Sequence, residues 1–250
     1  HQGIEFIDKH VKEQPDKPFF LYLALSSPHI PFLAPDFTKG KSKEGPRGDL
    51  VYLADWCVGR IQETIDKYHL ANNTLFIFSS DNGPERGANG HLSAGKFKGH
   101  KAQIWEGGHR VPFIAKWPAK IKPGLRSDAV FSLADMFATF ANLTGKTNTP
   151  GGEDSHNVLA RLTGQIVDKD DENARIFSSG LDLYSVRQGQ WKYIEGKEDK
   201  SKKLQVNYAG PNEGMMYNMA TDPYETRNVS NEYRHKEKKL QGLLDNIRSN

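Results

Sequence analysis

Three short stretches bring together residue types that could do chemistry. Ser79-Ser80-Asp81-Asn82-Gly83-Pro84 follows an apolar run, and Asp81 with Asn82 offers hard oxygen donors of the kind calcium or magnesium takes. The same residues also spell a turn, because Asn-Gly is a common turn dipeptide. Two donors do not fill a shell of about six to eight oxygens, so a metal here needs further carboxylates. Lys96-Phe97-Lys98-Gly99-His100-Lys101, followed by Trp105-Glu106-Gly107-Gly108-His109-Arg110-Val111-Pro112, sets cations beside glycine-rich backbone. That combination can cradle an oxyanion, with a lysine ammonium as point charge, or it can be a solvated basic loop. Ser26-Ser27-Pro28-His29-Ile30-Pro31 supplies a histidine that could bind an anion or move a proton near neutral pH, or simply hold structure. His91 and His100 lie in the loop before Lys101 and could line a substrate subsite.

These residues need elements to position them. Ile4, Phe6, Ile7 and Val11 have helical spacing, and Pro15 and Pro18 close that segment. Residues 19–26 read as a fully buried strand, 49–68 as a helix and 74–79 as a second buried strand. Strand, helix, strand predicts a βαβ unit and hence a parallel sheet. A glycine-rich loop then leads to a short helix near 101–105, a strand at 111–117 and a helix at 133–143. Each chemical stretch follows or abuts a predicted strand, and in open α/β sheets ligands bind beyond the strands' carboxyl ends. Residues 145–154 read as a boundary region. Beyond about residue 170 the pattern changes to a meander, at 175–179, 183–187 and 191–194, and a charged helix over 232–247.

Composition narrows the classes. The 250 residues are 36% hydrophobic and 26% charged, enough for a sizeable core. A net charge of +3 gives no support for nucleic-acid binding, although lysines and arginines cluster at 39–43, 96–101 and 197–203. No apolar run approaches the roughly 20 residues of a membrane span. The single cysteine, Cys57, excludes an internal disulfide and reads as a packed thiol. Asn72, Asn142 and Asn228 each begin an Asn-x-Ser/Thr sequon.

Taken in order, Phe19-Phe20-Leu21-Tyr22, Pro28-His29-x-Pro31, Ser80-Asp81-Asn82-Gly83 and Lys101-x-x-x-Trp105-Glu106-Gly107-Gly108-x-Arg110-Val111-Pro112 resemble the sulfatase family; the last segment fixes eight positions in twelve. Ser185-Val186-Arg187-x-Gly189-x-Trp191-Lys192-Tyr193 and Met216-Tyr217-Asn218-Met219-x-x-Asp222-Pro223-x-Glu225-x-x-Asn228 are similar to that family's small terminal subdomain. The resemblance is to the family's C-terminal half. It implies an alkaline-phosphatase-like α/β fold, a mixed, mainly parallel sheet flanked by helices, plus a small C-terminal antiparallel sheet with a terminal helix. It divides the chain into catalytic-domain sequence at 1–168 and an α+β subdomain at 169–250.

The resemblance further implies that Asp81 and Asn82 are calcium ligands and that Lys101 and His29 contact the sulfate group and its leaving oxygen. Glu106 and Arg110 would hold the loop in shape. The family's nucleophile is a formylglycine made from Cys or Ser in a Cys/Ser-x-Pro-x-Arg motif. No such motif occurs here, since Cys57 sits in Trp56-Cys57-Val58-Gly59-Arg60. The paired aspartates that complete the family's calcium site are also absent. The expectation is a sulfuric ester hydrolase fragment, inactive alone, whose partners are a sulfated small molecule or saccharide and a missing N-terminal half. The family habit is a secreted, periplasmic or lysosomal setting. The other readings are a phospho- or phosphonate-ester hydrolase of the same superfamily and a non-catalytic anion- or sugar-binding pseudoenzyme.

Overall fold

A computed structural model describes residues 1–146, 150–166, 173–180, 182–196, 211 and 213–249. They form two compact units. The first comprises 1–76, 87–91 and 116–119, and the second 77–86, 92–115 and 120–250.

In the first unit, helix α1 (Gln2–Glu13) lays Ile4, Ile7 and Val11 against Ile61 and Ile65 of helix α2 (Gly45–Lys67). This is the stripe the spacing predicts. Ile7 is fully buried, which is worth about 1.5–3 kcal/mol for a side chain of this size. Gly3 lets the helices approach closely, since a Cβ there would meet Ile61 Cδ1 at 2.9 Å and push that side-chain end aside. Pro46 stands in the first turn of α2, where its missing N–H costs nothing. The preceding loop is pinned by Asp49, whose carboxylate accepts N–H bonds from Gly40 at 2.8 Å and Ser42 at 2.9 Å. Those bonds, Ser42's foremost, hold its carboxyl below its ordinary value.

Residues 19–26 do not form the expected buried strand. They lie outside both sheets of the described residues. Phe19 and Leu21 pack on the α1–α2 core, whereas Phe20 and Tyr22, which alternate with them, are 70% and 80% exposed. Residues 19–22 alternate as in a strand covered on one side, and 23–26 are exposed, so only the first part of the apolar run belongs to a core. Cys57 is half-buried on α2, and burial pushes its thiol up, away from reactivity.

In the second unit, strand β1 (Phe76–Ser79) pairs with strand β2 (Phe113–Lys116), their end residues Phe76 and Lys116 grouping with the first unit. The short helix between them, α3, spans Glu106–His109. It begins later than the predicted 101–105, because Ala102 adopts φ +71, a left-handed conformation that stops a right-handed helix. Helices α4 (Asp135–Leu143) and α5 (Leu159–Leu162) follow.

Strands β3 (Arg175–Ser178), β4 (Tyr184–Gln188), β5 (Trp191–Ile194) and β6 (Met215–Asn218) form one antiparallel sheet in sequence order. The meander is as expected, with β6 an added strand. Gly189, at φ +54, makes the two-residue turn between β4 and β5. On one face, Val186, Tyr193 and Met216 bury Leu240 and Leu244 of the terminal helix α6 (Arg234–Ser249). The opposite face carries Leu183, Ile194 and Tyr217, which pack on Ile104. The expected boundary at 168/169 and the basic cluster at 197–203 lie outside the described residues. No helix among the described residues is long and apolar enough to cross a membrane.

Candidate active site

β1 ends at Ser79, whose hydroxyl donates to the Pro112 carbonyl at 2.9 Å and so ties the strand end to the start of β2. Asp81 follows, exposed, and Asn82, half-buried. The Ser80 hydroxyl reaches Asp81 Oδ1 at 3.4 Å and the Asn82 carbonyl at 3.3 Å. The turn is seated by the next residue. Gly83 N–H donates to the Gly108 carbonyl at 2.8 Å, and Lys101 N–H donates to the Pro84 carbonyl at 2.8 Å. Gly107 N–H in turn donates to the Lys98 carbonyl at 2.7 Å.

Side chains are excluded throughout this contact. A Cβ on Gly83 would run into the Gly107 carbonyl oxygen, one on Gly107 into that of Gly99, and one on Gly108 into that of Gln103. The glycines are therefore read less as a flexible anion cradle than as an interlock of backbones. It sets the Asp81–Asn82 pair beside the Lys98–Lys101 loop within one unit.

In that loop Lys98 is taken up structurally: its ammonium lies 4.6 Å from the Trp105 ring centre and 5.7 Å from that of Tyr217, and burial lowers its pKa. Lys101 and His100 are half-buried, and His100 Nδ1 lies 3.1 Å from the Lys101 carbonyl. His29 and His91 belong to the first unit. His29 Nδ1 lies 2.7 Å from the Ile30 carbonyl, an acceptor, which places a proton on Nδ1. His91 is tethered to the start of α2, 3.3 Å from an Arg47 nitrogen and 3.6 Å from the Glu44 carboxylate.

Behind the interlock is a charge network that the sequence reading missed. Glu106, 3% exposed, pairs with Arg110 at only 3.5 Å; its closer partner is Lys192 of β5, at 3.0 Å. The fully buried Lys192 ammonium also lies 2.8 Å from Glu225 Oε1 and 3.0 Å from His109 Nε2. His109 Nε2 also lies 3.1 Å from the Ile104 carbonyl, so one ring nitrogen stands between the Lys192 donor and a backbone acceptor. Glu225 Oε2 then accepts the Glu106 backbone N–H at 2.7 Å.

Burial pushes the Glu106 carboxyl up, but Lys192, followed by His109 and Arg187, outweighs it and holds it down at about 2. Burial and the Lys192 charge hold the His109 imidazole down at about 3. Burial pushes Glu225 upward against the pull of Lys192. The sequence signal was the Arg187-Gln188-Gly189-Gln190-Trp191-Lys192 hairpin. A two-residue turn places Arg187 and Lys192 directly opposite each other, which calls for a carboxylate between them.

A sequence profile of the sulfatase family matches residues 1–146. The chain belongs to the sulfatase family. An N-acetylgalactosamine-6-O-sulfatase of Bacteroides thetaiotaomicron is 34% identical over 98% of this chain and 49% of its own. Rat steryl-sulfatase is 39% identical over 60% of this chain and 27% of its own. A solved structure concerned with metabolism of multiple glycosaminoglycans by Bacteroides thetaiotaomicron superposes with a TM-score of 0.89 at 31% identity, covering 100% of this chain and 53% of that one. The fold is thus that of sulfatases, and the chain spans about half the length of these Bacteroides relatives. Among the described residues of this sulfatase chain, no three His, Cys, Asp or Glu side chains cluster as a metal site. Asp81 and Asn82 are oxygen donors fit for two positions of a calcium shell, and the described residues do not complete it.

Proposed function

We propose that this chain supplies one part of the active site of a sulfuric ester hydrolase that acts on a sulfated saccharide. The observation that carries the proposal is the Gly83–Gly108 interlock, which holds two adjacent hard-oxygen donors beside the Lys101 loop. In this reading Asp81 and Asn82 bind calcium, Lys101 contacts a sulfate oxygen as a point charge, and His29 holds or gives a proton at Nε2 to the leaving oxygen. His91 and His100 line the substrate. Calcium and a formylglycine, when present, supply charge stabilisation and the nucleophile. The nucleophile is provided by sequence outside this chain, which has no Cys/Ser-x-Pro-x-Arg motif. The saccharide substrate is suggested by the N-acetylgalactosamine-6-O-sulfatase relative.

The remaining partner in this reading is the sulfatase sequence that relatives carry beyond the matched half. Phe20, Tyr22 and Leu33, exposed by 70%, 80% and 78%, are the apolar surface it would cover. With that half in place, β1 and β2 join a larger, mainly parallel sheet, residues 1–168 belong to the catalytic domain and 169–250 to the small subdomain. A secreted, periplasmic or lysosomal setting goes with this assignment.

The test compares the protein expressed from its complete gene with residues 1–250 alone, on matched 4-nitrophenyl sulfate and 4-nitrophenyl phosphate. Hydrolysis favouring sulfate by the complete protein, and none by 1–250, is expected. A preference for phosphate would reassign the reaction, and robust sulfate hydrolysis by 1–250 alone would defeat the assignment of the nucleophile elsewhere.

A further inference from the structure

The face of the β3–β6 sheet opposite α6 carries a row of cations. Arg175 pairs across strands with Arg187, and Arg187 with Lys192. Like charges directly opposite one another destabilise a sheet, and burying them is costlier still. Arg175 and Lys192 are almost wholly buried all the same. The row persists because each cation meets a carboxylate brought from outside the sheet. Asp135 of α4 takes Arg175 at 2.7 Å, Glu225 takes Lys192, and Glu106 stands between Lys192 at 3.0 Å and Arg187 at 3.8 Å. The sheet is therefore a socket whose charges specify where Glu106 must sit.

Glu106 is also the residue immediately before the interlocked glycines. Its carboxylate is fixed by Lys192 and its backbone N–H by Glu225, so both ends of the residue are held through one ammonium. Gly107 and Gly108 follow directly, and Gly108 carries Gly83. A Cβ on any of the three glycines would run into a neighbouring backbone carbonyl, so the contact is close-packed on that side.

We propose that Lys192 is a positioning residue: by bridging Glu106 and Glu225 it fixes the Gly107–Gly108 backbone that seats Gly83, and through Gly83 it sets the direction of Asp81 and Asn82. The inference rests on the assignment of Asp81 and Asn82 as metal ligands. It gives the small antiparallel sheet a part in the site although the sheet supplies no ligand.

The test uses the protein expressed from its complete gene and terbium(III) luminescence as the probe of metal binding. Lys192→Met removes the bridge at similar length, and Glu225→Gln keeps the acceptor for the Glu106 N–H but removes the charge. Leu244→Ala, in the helix on the opposite face of the same sheet, is the control for general loosening. Both network variants are expected to weaken terbium binding about tenfold, as losses behind a ligand shell do, while Leu244→Ala lowers the melting temperature without changing affinity. Folded network variants with unchanged affinity would overturn the proposal. So would an equal loss in Leu244→Ala, or failure of both network variants to fold, since the network would then support the sheet as a whole. A wild-type signal that survives Asp81→Ala would instead defeat the metal-ligand assignment, and the positioning role with it.

Discussion

His109 gives the fold a defined sensitivity to acid. Its side chain is 16% exposed, stacks on Phe177 with ring centres 4.4 Å apart, and has Nε2 3.0 Å from the Lys192 ammonium. The folded imidazole stays neutral down to about pH 3, whereas the unfolded one takes up a proton below its ordinary value of 6.5. Between those values the unfolded chain binds more protons, so stability rises with pH and is lost as pH falls from 6.5 toward 3. From pH 7.5 to 4.5 two units of that gap are used, about 3 kcal/mol at 1.36 kcal/mol per unit. Over this range Glu106 does not yet contribute, because its depressed carboxyl draws on the window from 4.5 down to about 2. His109→Gln keeps an acceptor for Lys192 but cannot titrate. Urea unfolding of both proteins at pH 7.5, 6.5, 5.5 and 4.5 should show wild type losing about 3 kcal/mol more than the variant. Parallel curves would refute the reasoning, because burial beside the Lys192 ammonium would then not hold the folded imidazole neutral.

Two other substitutions probe the packing. Gly83→Ala drives a methyl into the Gly107 carbonyl and should cost about 1–3 kcal/mol or more, with loss of metal-dependent thermal stabilisation in the complete protein. An unchanged melting temperature would mean that the turn can move aside. Arg175→Met leaves Asp135 buried without its guanidinium and should cost about 3–5 kcal/mol in denaturant unfolding. A loss below about 1 kcal/mol would mean that the N–H bonds Asp135 accepts from Ser132 and His156 suffice.

Helices and hairpins were legible from local pattern. The α1 stripe, β1, β2, the meander and α6 follow from spacing and from turn residues such as Gly189, because each is decided by neighbours close in sequence. The 19–26 run was misread because strand periodicity shows which side chains alternate but not whether both faces are covered. Trp105-Glu106-Gly107-Gly108 drew attention for its glycines. Their packing role depends on the backbone at Gly83, Gly99 and Gln103, and the partners of Glu106 lie 86 and 119 positions along the chain, beyond any window of local pattern. A buried lysine in a strand is likewise invisible to composition, which counts it among solvated charges. His29, His91, His100 and Lys101 were singled out by type and motif, signals that name a residue without showing what it touches.

The central claim is that Asp81 and Asn82 are metal ligands of a sulfate-ester site. Its most direct measurement is calcium-dependent hydrolysis of 4-nitrophenyl sulfate by the protein from the complete gene, with and without Asp81→Ala. The expected result is wild-type turnover that chelator removes and calcium restores, and an Asp81→Ala protein that folds but is slower by at least about a hundredfold at any calcium concentration. An Asp81→Ala enzyme with wild-type turnover and calcium dependence would contradict it.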